Sequence, residues 1–226
     1  MQFILTDIEG TTTDINFVHK ILFPYSTEKL PGFVAAHLDD PHVAAALAQA
    51  RVTLQEEGLP AESTEDLIQG LLSWVETDRK HPALKTLQGL IWAEGYLSGA
   101  FKGHVYPDVV PALERWKQQG LRMGIYSSGS VAAQKLLFGY STYGDLNNFF
   151  EANFDTAVGH KREVASYQNI ATQLGIPSAE ILFLSDIEEE LDAAKTAGMQ
   201  CLQLLRPGTI PSMRHAGGGS FEEIAR

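Results

Sequence analysis

Two hydrophobic rhythms alternate along the chain. Phe3, Ile4 and Leu5 form an unbroken apolar run, which suits a strand covered on both faces better than one side of a helix. Gln2 to Thr6 is therefore predicted as a central parallel strand. From Asp14 to about Gly99 the rhythm is helical. Pro41 follows Asp40 as a first-turn proline behind a capping acid, and Val43, Leu47, Ala50 and Leu54 recur on one face until Gly58. Ser63 with Asp66 forms a capping-box pattern ahead of Leu67, Ile68, Leu71, Leu72 and Val75. Pro82 opens a third helix with a stripe of Leu84, Leu87, Leu90 and Ile91, and Trp74 and Trp92 at these spacings are expected to pack rather than to bind a cofactor.

After Phe101 helix and strand alternate. Helices are predicted over Pro107 to Gln119, Val131 to Phe138, Glu163 to Leu174 and Ile187 to Ala197. Strands are predicted over Leu121 to Tyr126, about Asn153 to Val158, Glu180 to Leu184 and Met199 to Leu205. The tail from Arg206 is loop-like apart from a short helix at Phe221 to Ala225. This is an α/β pattern: residues 1–14 and 100–226 make a core domain, and residues 15–99 are a helical insertion with no internal repeat.

The length of 226 residues allows a large core with an inserted smaller domain. Seventeen basic against twenty-eight acidic residues leave a net charge of −11 without a Lys/Arg cluster, which argues against nucleic acid and anionic membrane as partners. Cys201 is the single cysteine, so no internal disulfide forms, and its apolar surroundings suggest core. No signal-type segment or bilayer-length apolar run is found, and a cytoplasmic location is the expectation.

Polar chemistry falls at the ends of the predicted strands. Asp7 and Glu9 follow the first strand and should project to the same side, with Ile8 turned into the core. Alone, such a pair is commonly an ordinary polar turn. As two like charges in one small space, however, it invites a cation or a proton. Gly10 permits a tight turn, and Thr11, Thr12 and Thr13 supply hydroxyls. Ser127, Ser128, Gly129 and Ser130 follow the second strand, suited to an anion or to a plain helix cap. Lys161 follows the third and is free to face either the crevice or water. His160 beside it lacks any zinc-type spacing and is taken as structural. Asp186 is the first acid after the fourth strand, and Glu190 lies one helical turn beyond it. In open α/β sheets ligands sit outside the carboxyl ends of the strands, where these groups can meet.

Together the segments DIEGT, YSSGS, GHK and LSDIEEE resemble the four motifs of the haloacid dehalogenase-like (HAD) hydrolases. Glu9 in place of that superfamily's usual second aspartate, with DIEGTTT, ILFPY and LLFGYS, is similar to the enolase-phosphatase (acireductone synthase) family. The resemblance spans nearly the whole chain. It implies a Rossmann-like parallel sheet flanked by helices, with the insertion as an α-helical cap. It also implies a magnesium-dependent phosphatase of methionine salvage, acting on the small phosphorylated diketone 2,3-diketo-5-methylthiopentyl 1-phosphate; a monomer is the separate expectation. In that scheme Asp7 is the nucleophile that becomes an aspartyl phosphate, and Glu9 is the acid and base. Asp7, Asp186 and the backbone carbonyl of Glu9 hold one Mg2+, while Ser127, Ser128 and Lys161 bind the phosphoryl group. Compensating charge is needed in any case, since two unit charges at 4 Å repel by about 4 kcal/mol at an effective dielectric of 20. The base for the enolisation step is not assigned; Tyr96, Lys102 and His104 are candidates only. A HAD phosphatase without enolisation and a non-catalytic phosphometabolite-binding protein would share the same core residues.

Overall fold

A computed structural model describes residues 1–224 of the chain. The chain divides into two compact units, residues 1–17 with 102–226 and residues 18–101. Strand β1 (Phe3–Thr6) is wholly buried, as its unbroken apolar run requires. After a tight loop come the short helix α1 (Ile15–Phe17) and a π-helical turn, Val18–Leu22.

The second unit is helical: α2 (Phe23–Ala36), α3 (Pro41–Glu56), α4 (Thr64–Glu76) and α5 (Pro82–Ser98). The expected N-termini are in place. Asp40 accepts the N–H groups of His42 and Val43, and Ser63 with Asp66 forms a reciprocal capping box. Leu30, Val34, Val43, Ala50, Leu71, Trp74 and Leu87 meet in one apolar core. Trp74 is buried there, while Trp92 is half-buried and donates its indole N–H to the Leu22 carbonyl at 2.8 Å. The sequence pattern did not single out α2, because Pro24, Pro31 and Gly32 interrupt it. Pro24 falls in the first turn, where its missing N–H costs nothing, and Leu30, Phe33 and Val34 bind the rest of the helix to the core.

The first unit continues with α6 (Val109–Gln118), β2 (Arg122–Tyr126), α7 (Val131–Gly139), β3 (Ala152–Phe154), α8 (Val164–Leu174), β4 (Ile181–Ser185), α9 (Glu188–Thr196), β5 (Gln200–Leu204) and β6 (Gly217–Gly218). The sheet runs β3-β2-β1-β4-β5-β6 with every pair parallel. Two strand expectations need correction. β3 stops at Phe154 because Asp155 caps a 3₁₀ turn at Thr156–Val158, accepting the N–H of Ala157. The two-residue β6, a glycine pair with no strand propensity inside the expected loop-like tail, pairs with Gln203 and Leu204. The expected terminal helix is a 3₁₀ turn over Phe221–Glu223, and Ala225 lies outside the described residues. Cys201 is half-buried rather than fully inside; burial pushes its thiol up to about 12. Phe3, Leu5, Tyr126, Tyr167, Phe183 and Leu191 form the centre of the core against the sheet. Among the described residues no helix is long and apolar enough to cross a membrane.

Candidate active site

Strand register sets the site. Thr6 of β1 pairs with Ile125 of β2 on one side and Leu184 of β4 on the other. Asp7, Ser127 and Asp186 therefore all emerge at the carboxyl rim. Past β1, Asp7 still donates its N–H to the Leu184 carbonyl at 2.9 Å, as Ser127 does to the Phe154 carbonyl at 3.2 Å. Ile8 turns inward and is 1% exposed. Its carbonyl gathers the N–H groups of Thr11, Thr12 and Thr13 at 3.1, 2.9 and 2.9 Å, which closes the loop. The turn passes through Gly10 at φ +77°, where a Cβ would fall 2.7 Å from the carboxyl carbon of Asp186. Only glycine fits that approach.

Lys161 resolves toward the crevice. Its ammonium lies 2.5 Å from Asp7 Oδ1 and 2.7 Å from Glu190 Oε2, with all three side chains buried. Burial pulls its pKa down, but the charges of Asp7 and Glu190 outweigh that and raise it, so it remains an ammonium ion. Tyr167 holds this segment by donating its hydroxyl to the Lys161 carbonyl at 2.6 Å. Glu190 also accepts the Ser185 hydroxyl at 2.8 Å, so it orients the lysine from behind. Burial, then the charge of Asp7, raise its pKa.

Glu9 is half-buried, and burial followed by the nearby Asp7 charge raises its pKa, so it keeps a proton more readily than a free glutamate. Ser127 donates to Glu9 Oε2 at 2.9 Å and accepts the Gly129 N–H at 3.1 Å. The hydroxyl proton of Ser127 is thus committed to Glu9 in this conformation. Ser128 is exposed, and so is His160, whose carbonyl accepts the Ser166 hydroxyl at 2.7 Å. Gln134 secures the serine loop by donating to the carbonyls of Gly129 and Phe154 at 2.9 and 2.8 Å.

Asp186 is held by Thr11 in both directions: the threonine hydroxyl donates to Oδ1 at 3.2 Å and accepts the Asp186 N–H at 3.0 Å. Burial and the charge of Asp7 push the Asp186 carboxyl up to about 6, the mark of two acids in one space without enough opposing charge. Among the described residues no three His, Cys, Asp or Glu side chains are placed to hold a metal together. The donors here are two carboxylates and neighbouring backbone carbonyls. That hard-oxygen set, leaving positions for water and phosphate, suits Mg2+ better than zinc.

Some residues that shape the rim were not singled out in the sequence. Gln203 of β5 is buried and donates to the carbonyls of Asp186 and Ile210 at 2.9 and 3.1 Å. The available signal was a glutamine in the interior of a mostly apolar strand that carries a second, exposed one, Gln200, at its start. Arg206 and Asp108 join each other near Thr11, and nothing in their spacing announced it. Of the candidates for the enolisation base, Lys102 is exposed and burial raises the Tyr96 phenol, the wrong direction for a base. His104 accepts the Asp14 N–H on Nδ1 at 3.0 Å, so in the neutral ring the proton sits on Nε2 and the residue is a donor.

The family model of the haloacid dehalogenase-like hydrolases matches residues 1–198. Enolase-phosphatase E1 of Erwinia tasmaniensis is 53% identical over 98% of this chain and 95% of its own, and its Klebsiella pneumoniae counterpart is 55% identical over the same shares. The chain belongs to the enolase-phosphatase family of haloacid dehalogenase-like hydrolases. Among solved structures similar to this enolase-phosphatase family member, the UTR4 protein of Saccharomyces cerevisiae has a TM-score of 0.83 at 39% identity, covering 99% of both chains. CbbY of Rhodobacter sphaeroides, in complex with phosphate, has a TM-score of 0.63 at 15% identity over 100% of this chain and 96% of its own, a likeness of fold.

Proposed function

We propose that this rim carries out the enolase-phosphatase reaction of methionine salvage, converting 2,3-diketo-5-methylthiopentyl 1-phosphate to the acireductone and phosphate. Family membership over nearly the whole chain supports the substrate. The observation that carries the chemistry is Asp7 beside a buried ammonium, 2.5 Å from Lys161, with Asp186 next to it. Asp7 attacks phosphorus, forming an aspartyl phosphate as the bond to the substrate oxygen breaks. Lys161 supplies fixed positive charge to the attacking carboxylate and the incoming phosphate. Glu9, with its raised pKa, donates its proton to the departing oxygen and then takes one from the water that hydrolyses the acyl phosphate. Ser127 orients Glu9, and in this proposal Ser127 and Ser128 also meet the phosphoryl oxygens. Asp7, Asp186 and the Glu9 carbonyl would hold one Mg2+, which when bound neutralises phosphate charge and polarises the substrate's oxygens. His104 Nε2–H is suited to donate to a substrate carbonyl rather than to take its proton.

The helical unit, residues 18–101, is the cap in this proposal. A monomer in the cytoplasm completes it, the single cysteine fitting a reducing compartment. Incubating the protein and Mg2+ with the diketo phosphate, while following phosphate and enediol absorbance together, tests the reading. Both signals rising in step over many turnovers is the expected result. Phosphate without the enediol would replace it with a simple phosphatase, and no turnover with a binding protein.

A further inference from the structure

The segment after β5 reaches back to the first loop of the sheet through one side chain. Arg206 lies beyond residues 1–198, the span matched by the broad haloacid dehalogenase-like hydrolase model, and is only 9% exposed. Its Nε–H donates to the Thr11 carbonyl at 3.0 Å, and Nη1 lies 3.1 and 3.0 Å from the two carboxylate oxygens of Asp108. The guanidinium carbon stands 4.1 Å from the ring centre of Tyr106 and 5.4 Å from that of Phe221. Asp108 is itself steadied by the Phe221 N–H at 2.7 Å. Arg206 Nη2 is buried without a hydrogen-bond partner among the described residues. Burying a guanidinium with one donor unpaired is costly.

Fastening the tail does not account for that cost. Arg115 already does so, donating to the carbonyls of Phe221 and Ile224 at 3.1 and 2.9 Å, and Phe221 is fully buried. What Arg206 adds is its grip on Thr11, the residue whose hydroxyl both donates to the Asp186 carboxylate and accepts the Asp186 N–H. Phe221, Asp108, Arg206, Thr11 and Asp186 form a continuous series of hydrogen bonds from the tail to the acid.

We propose that Arg206 is a positioning residue for the cation site: by fixing Thr11 it sets the carboxylate of Asp186 and so raises affinity for a divalent ion. The inference rests on the magnesium reading above. Partners one shell out from a ligand typically change metal affinity by about 10–100-fold. Lysine at 206 keeps a cation for Asp108 but cannot direct a planar N–H at Thr11.

The test is calorimetric titration of Mg2+ into the metal-stripped full chain, with circular dichroism and thermal melts confirming the fold. Arg206→Lys should weaken Mg2+ binding by about 10–100-fold. Thr11→Val, which spares the Arg206–Asp108 pair, should do the same, and the double variant should be no weaker than the worse single one. Arg115→Gln, which loosens the tail without touching Thr11, should bind as wild type, and excess Mg2+ should restore kcat in Arg206→Lys. Wild-type affinity in Arg206→Lys overturns the inference, as does equal weakening by Arg115→Gln. If Arg206→Lys does not fold, wild-type affinity in Thr11→Val overturns it. Absence of Mg2+ binding by the wild-type protein would instead overturn the magnesium reading, and this inference with it.

Discussion

The two units treat charge in opposite ways. In residues 18–101 the pairs Lys29–Glu28, His37–Glu94, Arg79–Glu57 and Lys80–Asp78 all have side chains at least 35% exposed. Such pairs contribute little, and the unit is held by its apolar core and helix caps. The sheet unit has surface pairs too, but it also buries Asp7, Lys161 and Glu190, and Arg206 with Asp108, with side chains no more than 14% exposed. A well-packed apolar set of the same volume would commonly be at least as stable. The difference teaches that the buried charges coincide with the proposed site and its surroundings, and that stability has to come from elsewhere.

Removing the charge of Asp7 is the hardest blow to that contrast. Asp7→Asn should lower phosphate release by at least about a thousandfold while circular dichroism shows a folded chain; undiminished release would remove Asp7 as nucleophile. Lys161→Met leaves two buried acids facing each other, and should cost about 3–5 kcal/mol in urea unfolding as well as turnover. Adding Glu190→Gln should return part of the stability and none of the activity, which separates the energetic role of the lysine from its chemical one. In the helical unit the same scale of loss should come from an apolar residue: Leu87→Ala should cost about 2–5 kcal/mol by denaturation. Glu57→Gln, which breaks an exposed pair, should leave the calorimetric melting midpoint where it was. A large shift there would erase the contrast between the units.

Legibility in the sequence followed the range of the interactions. The buried run of β1, the Asp40 cap and the Ser63–Asp66 box are local, so spacing alone revealed them. The placement of Asp7, Glu9 and Asp186 at strand ends followed from a two-residue period and a parallel sheet. Lys161 could not be oriented in advance, because the acids that draw it inward come from the end of β1 and from α9. α2 was hidden by prolines that tertiary packing overrides, and β6 by glycines that carry no pattern. Arg206 and Asp108 stand 98 positions apart, and no local rule links a tail arginine to a loop carbonyl.

The central place of β1 also has a bearing on biosynthesis. This strand is synthesised before both of its sheet neighbours, Arg122–Tyr126 and Ile181–Ser185. At roughly 5–20 residues per second, it waits on the order of ten seconds or more for both flanks. Throughout that interval a sticky four-residue segment has no sheet to join, while the helical segment that follows it is already complete. The sheet can therefore close only after most of the chain has been made.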